Sequence, residues 1–155
     1  MEAQFIKVYR NVLPKDLCKQ MIDTYEKLWT EQEEQIKKMS ICYNSRGVKT
    51  CGACNCQRLD IMQHHEFNEP FQQVIARFQA QIGQYQKDCN LHKNQWPKTY
   101  RYENLRIKRF LCDTDQQHDT HVDVGNADTA KRFLALVCYL NAVSYTHLRA
   151  HETVS

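Results

Sequence analysis

No window of this 155-residue chain approaches the roughly 20 consecutive apolar residues that a membrane helix needs. The opening Met1-Glu2-Ala3-Gln4 lacks the charged region and long apolar core of a secretory leader. Charge of neither sign dominates. Lys and Arg number 21 against 18 Asp and Glu, a formal net charge of +3, which points to no particular partner. The densest basic stretch holds Lys98, Arg101, Arg106, Lys108 and Arg109. It reads as a solvated strand face rather than a nucleic-acid surface. What remains is ordinary: 42% hydrophobic and 25% charged residues, enough for one soluble domain with a real core. Eight cysteines without a secretion signal favour reduced thiols and a cytoplasmic location over a disulfide framework.

The apolar pattern predicts helices first and strands later. Phe5-Ile6-Lys7-Val8-Tyr9 is a strand candidate, followed by a turn at Asn11 to Pro14. Pro14 suits the start of a helix. Leu17, Met21, Ile22, Tyr25 and Leu28 recur at helical spacing and predict an amphipathic helix to about Lys37, with a polar, solvated second half from Glu31 to Lys38. Ser40 to Cys56 reads as a loop, and Arg58 to Met62 as a strand. Asn68 would cap a second helix, with Pro70 in its first turn and an apolar stripe of Phe71, Val74, Ile75, Phe78, Ile82 and Tyr85. Asn90 to Pro97 is a loop. Tyr102 to Phe110 is a strand with Leu105 and Ile107 on one face, Arg106 and Lys108 on the other, and a bulge at the slip of alternation near Arg109-Phe110. Cys112 to Gln117 is a polar loop, His121 to Val124 a short strand and Asn126 to Lys131 a loop. Phe133 to Leu140 is a nearly continuous apolar run, as expected of a buried strand. The order predicts an α+β domain with an unfinished sheet.

Two clusters carry chemistry. The first is His121-Val122-Asp123. Residues two apart on a strand point to one face, so His121 and Asp123 can present an imidazole nitrogen and a carboxylate oxygen together. That is two-thirds of a 2-His-1-carboxylate Fe(II) site. The plain alternative is a surface turn. His118 is a second imidazole nearby and reads as a loop residue. The second cluster is Cys51-Gly52-Ala53-Cys54-Asn55-Cys56, with Cys42 before it and His64-His65 after it. Cys51 and Cys54 have zinc-knuckle spacing, and Cys42, Cys56 or His64 would complete a set. No second C-x-x-C pair accompanies them, and a loop of free thiols is the simpler reading.

In four ordered segments the chain resembles the 2-oxoglutarate- and Fe(II)-dependent oxygenases of the prolyl 4-hydroxylase-like branch. These are Phe5 to Val8 with Leu13-Pro14-Lys15-Asp16-Leu17-Cys18, then Leu105-Arg106-Ile107-Lys108-Arg109-Phe110, then His121-Val122-Asp123, and Arg132 to Asn141. The resemblance covers about residues 4 to 141 and is thin between Ser40 and Trp96. It implies N-terminal helices packed on a double-stranded β-helix, or jelly-roll, sheet that is incomplete here. It implies Fe(II) on His121 and Asp123, with 2-oxoglutarate and O2 as co-substrates and ascorbate as reductant. It implies a peptide or protein substrate, a prolyl side chain by default, with a small molecule as the alternative. Tyr139 matches a tyrosine that binds the far carboxylate of 2-oxoglutarate in some relatives, and core or lip packing is its other reading. Phe110 and Ala135 depart from the family, whose residues there often carry hydroxyls.

The family's distal His ligand and its 2-oxoglutarate-pairing Lys or Arg are not found. After Tyr139-Leu140-Asn141 relatives continue with Asp and a Gly-Gly-Glu-Thr turn. This chain continues Ala142-Val143-Ser144-Tyr145-Thr146-His147-Leu148-Arg149-Ala150-His151-Glu152-Thr153. That string resembles one translated frame of a transposase-type sequencing adapter. The expectation is therefore an oxygenase domain over residues 1–141 and a non-native tail over 142–155, with His147, His151 and Arg149 as decoys. The truncated chain is expected to be inactive and poorly soluble, with an open sheet edge. Two other classes remain: a non-catalytic binding domain on the same fold, and a zinc-binding interaction module built on Cys51, Cys54 and Cys56.

Overall fold

The structure is a computed structural model that describes residues 4–39, 42–43, 49–50, 56–111, 122–127 and 129–141. Its architecture is α+β. Helix α1 spans Lys15–Met39 and helix α2 spans Asn68–Asp88. Between them, β1 (Cys42–Tyr43) pairs antiparallel with β2 (Lys49–Thr50), inside the segment expected to be a plain loop. Strand β3 (Gln57–Asp60) pairs antiparallel with β4 (Arg106–Arg109). No helix among the described residues is long and apolar enough to cross a membrane.

The apolar stripe of α1 buries Leu17, Met21, Tyr25, Leu28 and Trp29, and Cys18 donates its N–H to the Pro14 carbonyl at 3.0 Å in the first turn. Its second half is not uniformly solvated. Ile36 is 2% exposed. Gln32 leaves helical geometry at φ −130°, ψ 24°, yet Ile36 follows Trp29 by seven residues and Leu28 by eight, so helical spacing alone puts it on the buried face.

The second helix buries Pro70, Val74, Phe78 and Ile82, a stripe at helical spacing. Asn68 is not the cap. It has helical φ −56°, ψ −47° and is the first helical residue, because the 3-10 turn His65–Phe67 runs directly into the helix. Phe67, fully buried, sits where that turn packs against both helices. Asn90 closes α2 at φ 50°, the left-handed geometry that Asn tolerates better than most residues.

The ribbon β3–β4 lies on the helices through one face. Leu59 is 1% exposed and faces Ile107 across the pair, with Leu105 packed beside them. Beyond Asp60 the expected strand residues Ile61 and Met62 turn instead into a 3-10 turn, Ile61–Gln63, where Asp60 accepts the Met62 N–H. The register runs unbroken from Asp60↔Arg106 to Gln57↔Arg109, so the expected bulge is absent. Arg109 obeys the alternation after all. It points to the helix side, its guanidinium 5.2 Å from the Tyr25 ring centroid and 5.7 Å from that of Trp29.

Two further strand expectations fail. Residues 5–9 form an irregular segment in which Phe5, Ile6 and Val8 are exposed. Three contacts strap that segment to the end of α2. The Tyr9 hydroxyl donates to Asp88 at 2.7 Å, the Tyr85 hydroxyl to the Phe5 carbonyl at 3.0 Å, and the Cys89 thiol to the Gln4 carbonyl at 3.7 Å. Residues 132–139 carry no strand assignment. Cys138 and Leu140 pack against the core, whereas Phe133, Leu136, Val137 and Tyr139 are exposed. Among the described residues no strand pairs with that run, and only one of its faces is covered. Cys18, Cys89 and Cys138 are free thiols, but Cys56 is disulfide-bonded, contrary to the expectation of reduced thiols throughout.

Candidate functional site

Asp123 lies on an irregular, exposed stretch, residues 122–125, that is not a strand. Its main chain is nevertheless tied down. Arg132 donates to the Asp123 carbonyl at 2.6 Å. The same guanidinium grips both oxygens of Glu103, Nε to Oε1 at 2.6 Å and Nη2 to Oε2 at 2.8 Å, a bidentate fork. Arg132 therefore links the Asp123 stretch to the approach of β4. The Arg132 hydrogen bond holds the Glu103 carboxyl below its ordinary range, and Glu103 in turn raises the Arg132 pKa.

The loop after Asp123 is organised by side chain to backbone bonding. The Thr129 hydroxyl accepts the N–H groups of Gly125 and Asn126 at 3.0 and 3.1 Å, and the Asn126 side chain accepts the Thr129 N–H at 3.0 Å. The 3-10 turn Thr129–Lys131 then delivers Arg132. Phe133 follows immediately and meets Trp96 edge-on at 5.1 Å and Tyr100 at 5.9 Å. These aromatic contacts fix the start of the 132–141 segment against the loop after α2.

Of the residues expected to act, His121, Cys51 and Cys54 lie outside the described residues, as do His118, His147 and His151. Asp123 is exposed, and Tyr139 is 58% exposed. Phe110 is 44% exposed just past β4. Among the described residues no group of three or more His, Cys, Asp or Glu is arranged to hold a metal. The donor chemistry of His121 and Asp123, one imidazole and one carboxylate, matches what Fe(II) accepts. Cys56 has its sulfur in a disulfide, so it offers zinc a thiolate only after reduction.

Sequence reasoning did not anticipate Glu103, Thr129 or Trp96 as the supports of this region. Glu103 and Arg132 are 29 residues apart, and no local pattern pairs them. The Asn126-x-x-Thr129 spacing was a readable signal, since such residues close turns on their own backbone. No protein-family model, curated protein or solved structure matches the chain.

Proposed function

We propose that the chain is the N-terminal portion of an Fe(II)- and 2-oxoglutarate-dependent oxygenase of the prolyl 4-hydroxylase-like branch, and that its parent hydroxylates a peptidyl side chain. The jelly-roll sheet, the cytoplasmic setting and the use of ascorbate are parts of the same reading. The observation that supports it best is the anchoring of the Asp123 stretch. An iron-binding carboxylate needs a fixed main chain, and Arg132 supplies one by holding the Asp123 carbonyl while braced on Glu103.

When bound, iron and 2-oxoglutarate supply the oxidising chemistry, consuming O2 and releasing succinate and CO2. The chain's own contribution is positional. His121 and Asp123 would hold the metal from one short stretch, and Arg132 would keep that stretch in register with β4. Tyr139 would offer its hydroxyl to the far carboxylate of 2-oxoglutarate. Fork geometry matters here, because a lysine at 132 cannot bridge two carboxylate oxygens and a carbonyl with one planar group.

The experiment is to recover the genomic reading frame beyond Asn141 and assay the encoded protein. The expected outcome is a distal His followed by Lys or Arg, with succinate formed from 2-oxoglutarate and abolished by His121→Ala or Asp123→Ala. A genome that encodes Tyr145 to Thr153 as they stand, or succinate formation indifferent to His121→Ala, defeats the proposal.

A further inference from the structure

The loop that follows α2, residues 91–102, carries Lys93, Lys98 and Arg101 and no carboxylate. Threaded between those cations are Trp96, Tyr100 and Tyr102. The sequence expectation placed Lys98 and Arg101 in one solvated strand face with Arg106, Lys108 and Arg109. The structure separates them. Arg106 to Arg109 form β4, with Arg109 turned inward over Tyr25 and Trp29, whereas Lys98 and Arg101 stay exposed in the loop. Among the described residues, Lys93, Lys98 and Arg101 close no ion pair. Glu103, which follows Tyr102 directly, is held in the Arg132 fork.

The rings of this loop are assembled rather than scattered. Trp96 meets Tyr100 edge-on, with centroids 6.1 Å apart and planes at 89°, and Tyr102 stands edge-on to Tyr100 at 6.4 Å. Phe133, which Lys131 and Arg132 precede, joins Trp96 and Tyr100 from a distant part of the chain. The 3-10 turn Lys93–Gln95, closed by the His92 N–H donating to Gln95 Oε1 at 2.8 Å, sets the position of Trp96. An edge-on contact uses the face of one ring and the rim of the other, so rings packed this way keep faces for further partners. Tyr100 remains 38% exposed and Phe133 48%. Trp96 Nε1 and the Tyr102 hydroxyl are buried with no hydrogen-bond partner among the described residues, so the cluster is not a finished core.

We propose that this aromatic and basic surface binds single-stranded nucleic acid. Bases stack on the rings of Tyr100 and Phe133, and Lys93, Lys98 and Arg101 attract the phosphates. The combination of rings and cations selects the occupant. An inorganic anion or an acidic peptide uses the cations and leaves the rings idle. An apolar peptide uses the rings and gains nothing from the cations. A duplex keeps its bases stacked inside, out of reach of the rings. An unpaired strand presents planar faces and phosphates in alternation, as the loop presents rings and cations. The surface uses neither His121 nor Asp123, so it stands or falls apart from the oxygenase reading.

The test is fluorescence anisotropy of labelled decathymidylate titrated with the full 155-residue chain, without iron, over a series of chloride concentrations. Saturable binding is expected, with the logarithm of affinity falling against that of salt by about 0.7 per phosphate contact, or about 2 for three cations. Tyr100→Leu and Phe133→Leu keep apolar volume but remove the flat face, and each should weaken binding by about fivefold or more. Lys98→Gln should lower the salt slope by about 0.7. Lys98 is exposed, so this variant still tests the surface if far-UV circular dichroism shows a ring variant misfolded. Lys27→Gln, exposed on α1, should change neither affinity nor slope. The proposal is overturned by an absence of saturable binding at low salt, by folded ring variants that bind as well as the parent chain, by a salt slope unchanged in Lys98→Gln, by equal affinity for the duplex with the complementary strand, or by an uncharged proline-rich peptide that displaces the strand.

Discussion

Arg109→Ala is expected to destabilise the fold by about 2–3 kcal/mol, and most of that loss should come from stacking rather than from the ion pair. Arg109 lies over two rings, at 5.2 Å from Tyr25 and 5.7 Å from Trp29, and those rings stack on each other at 5.8 Å. Cation–π contacts are worth about 0.5–1 kcal/mol each when partly exposed, and more when dry. The Arg109 side chain is 25% exposed, which places its contacts towards the upper part of that range. The guanidinium also binds Glu26, whose side chain is 47% exposed, and such a solvent-screened pair is worth about 0.2–1 kcal/mol. A hydrogen bond to Gln57 Oε1 at 2.6 Å adds about 1 kcal/mol net. Glu26→Gln should therefore cost under about 1 kcal/mol. Arg109→Met keeps the apolar stem over the rings and should recover about half of the alanine loss. The assay is urea unfolding followed by tryptophan fluorescence, to which Trp29 and Trp96 both contribute, with Trp96→Phe as the background that isolates Trp29. If Glu26→Gln costs as much as Arg109→Ala, the ion pair carries the energy and the stacking argument is wrong. If Arg109→Met is as stable as the parent, the charge over the rings contributes nothing.

The strap of residues 4–9 on α2 should loosen at both ends of the pH scale. Partial burial and the hydrogen bond to Asp88 push the Tyr9 hydroxyl from 10.0 up to about 12, so its contribution is complete below 10 and is lost as pH rises towards 12. The Tyr9 and Gln84 hydrogen bonds lower the Asp88 pKa, so its contribution is present above the ordinary carboxylate range and is lost as pH falls through the lowered value. Hydrogen exchange at residues 5–10 reads both limbs, and Asp88→Asn should remove the acid limb and shrink the alkaline one, because Asp88 holds part of the Tyr9 shift; an acid limb that persists in that variant refutes the assignment. Glu103→Gln breaks the bidentate fork and should expose the Arg132 bond to trypsin several-fold faster, with a stability cost under about 1 kcal/mol at this exposed site; unchanged cleavage would mean that the aromatic contacts of Phe133 alone hold the segment. Phe67→Ala empties the fully buried position between the helices and should cost about 3–5 kcal/mol in the same urea assay, whereas a loss under about 1 kcal/mol would show that the turn collapses onto the gap.

Local pattern was legible where a single face meets a single partner. The stripe Leu17, Met21, Tyr25 and Leu28 has helical period and is buried, and Leu105 and Ile107 alternate with Arg106 and Lys108 as a half-buried strand requires. Arg109 was misread because charge was taken as a marker of the solvent face. A long stem and a planar head let arginine occupy an inward position if rings lie beneath it and a carboxylate sits at its end. No residue near 109 reveals that Tyr25, Glu26 and Trp29, 80 or more positions earlier, provide both. The Glu103–Arg132 fork was illegible for the same reason: it is a property of the assembled surfaces.

The run Phe133 to Leu140 shows a different limit. A continuous apolar stretch satisfies the composition of a strand buried on both faces, but composition states only what the segment would gain from cover. Each face needs its own partner. Cys138 and Leu140 find the core; Val137 is 77% exposed and Tyr139 58%. Burying one large apolar side chain is worth about 1.5–3 kcal/mol, so Phe133, Leu136 and Val137 together represent a several-kcal/mol driving force left unused in this arrangement. Such a surface should bind a hydrophobic dye, and Val137→Lys should reduce that binding while changing stability by less than about 0.5 kcal/mol, because the side chain already sits in water. A larger stability loss would show that Val137 is covered in solution, and the sequence expectation of a strand buried on both faces would then be the correct one.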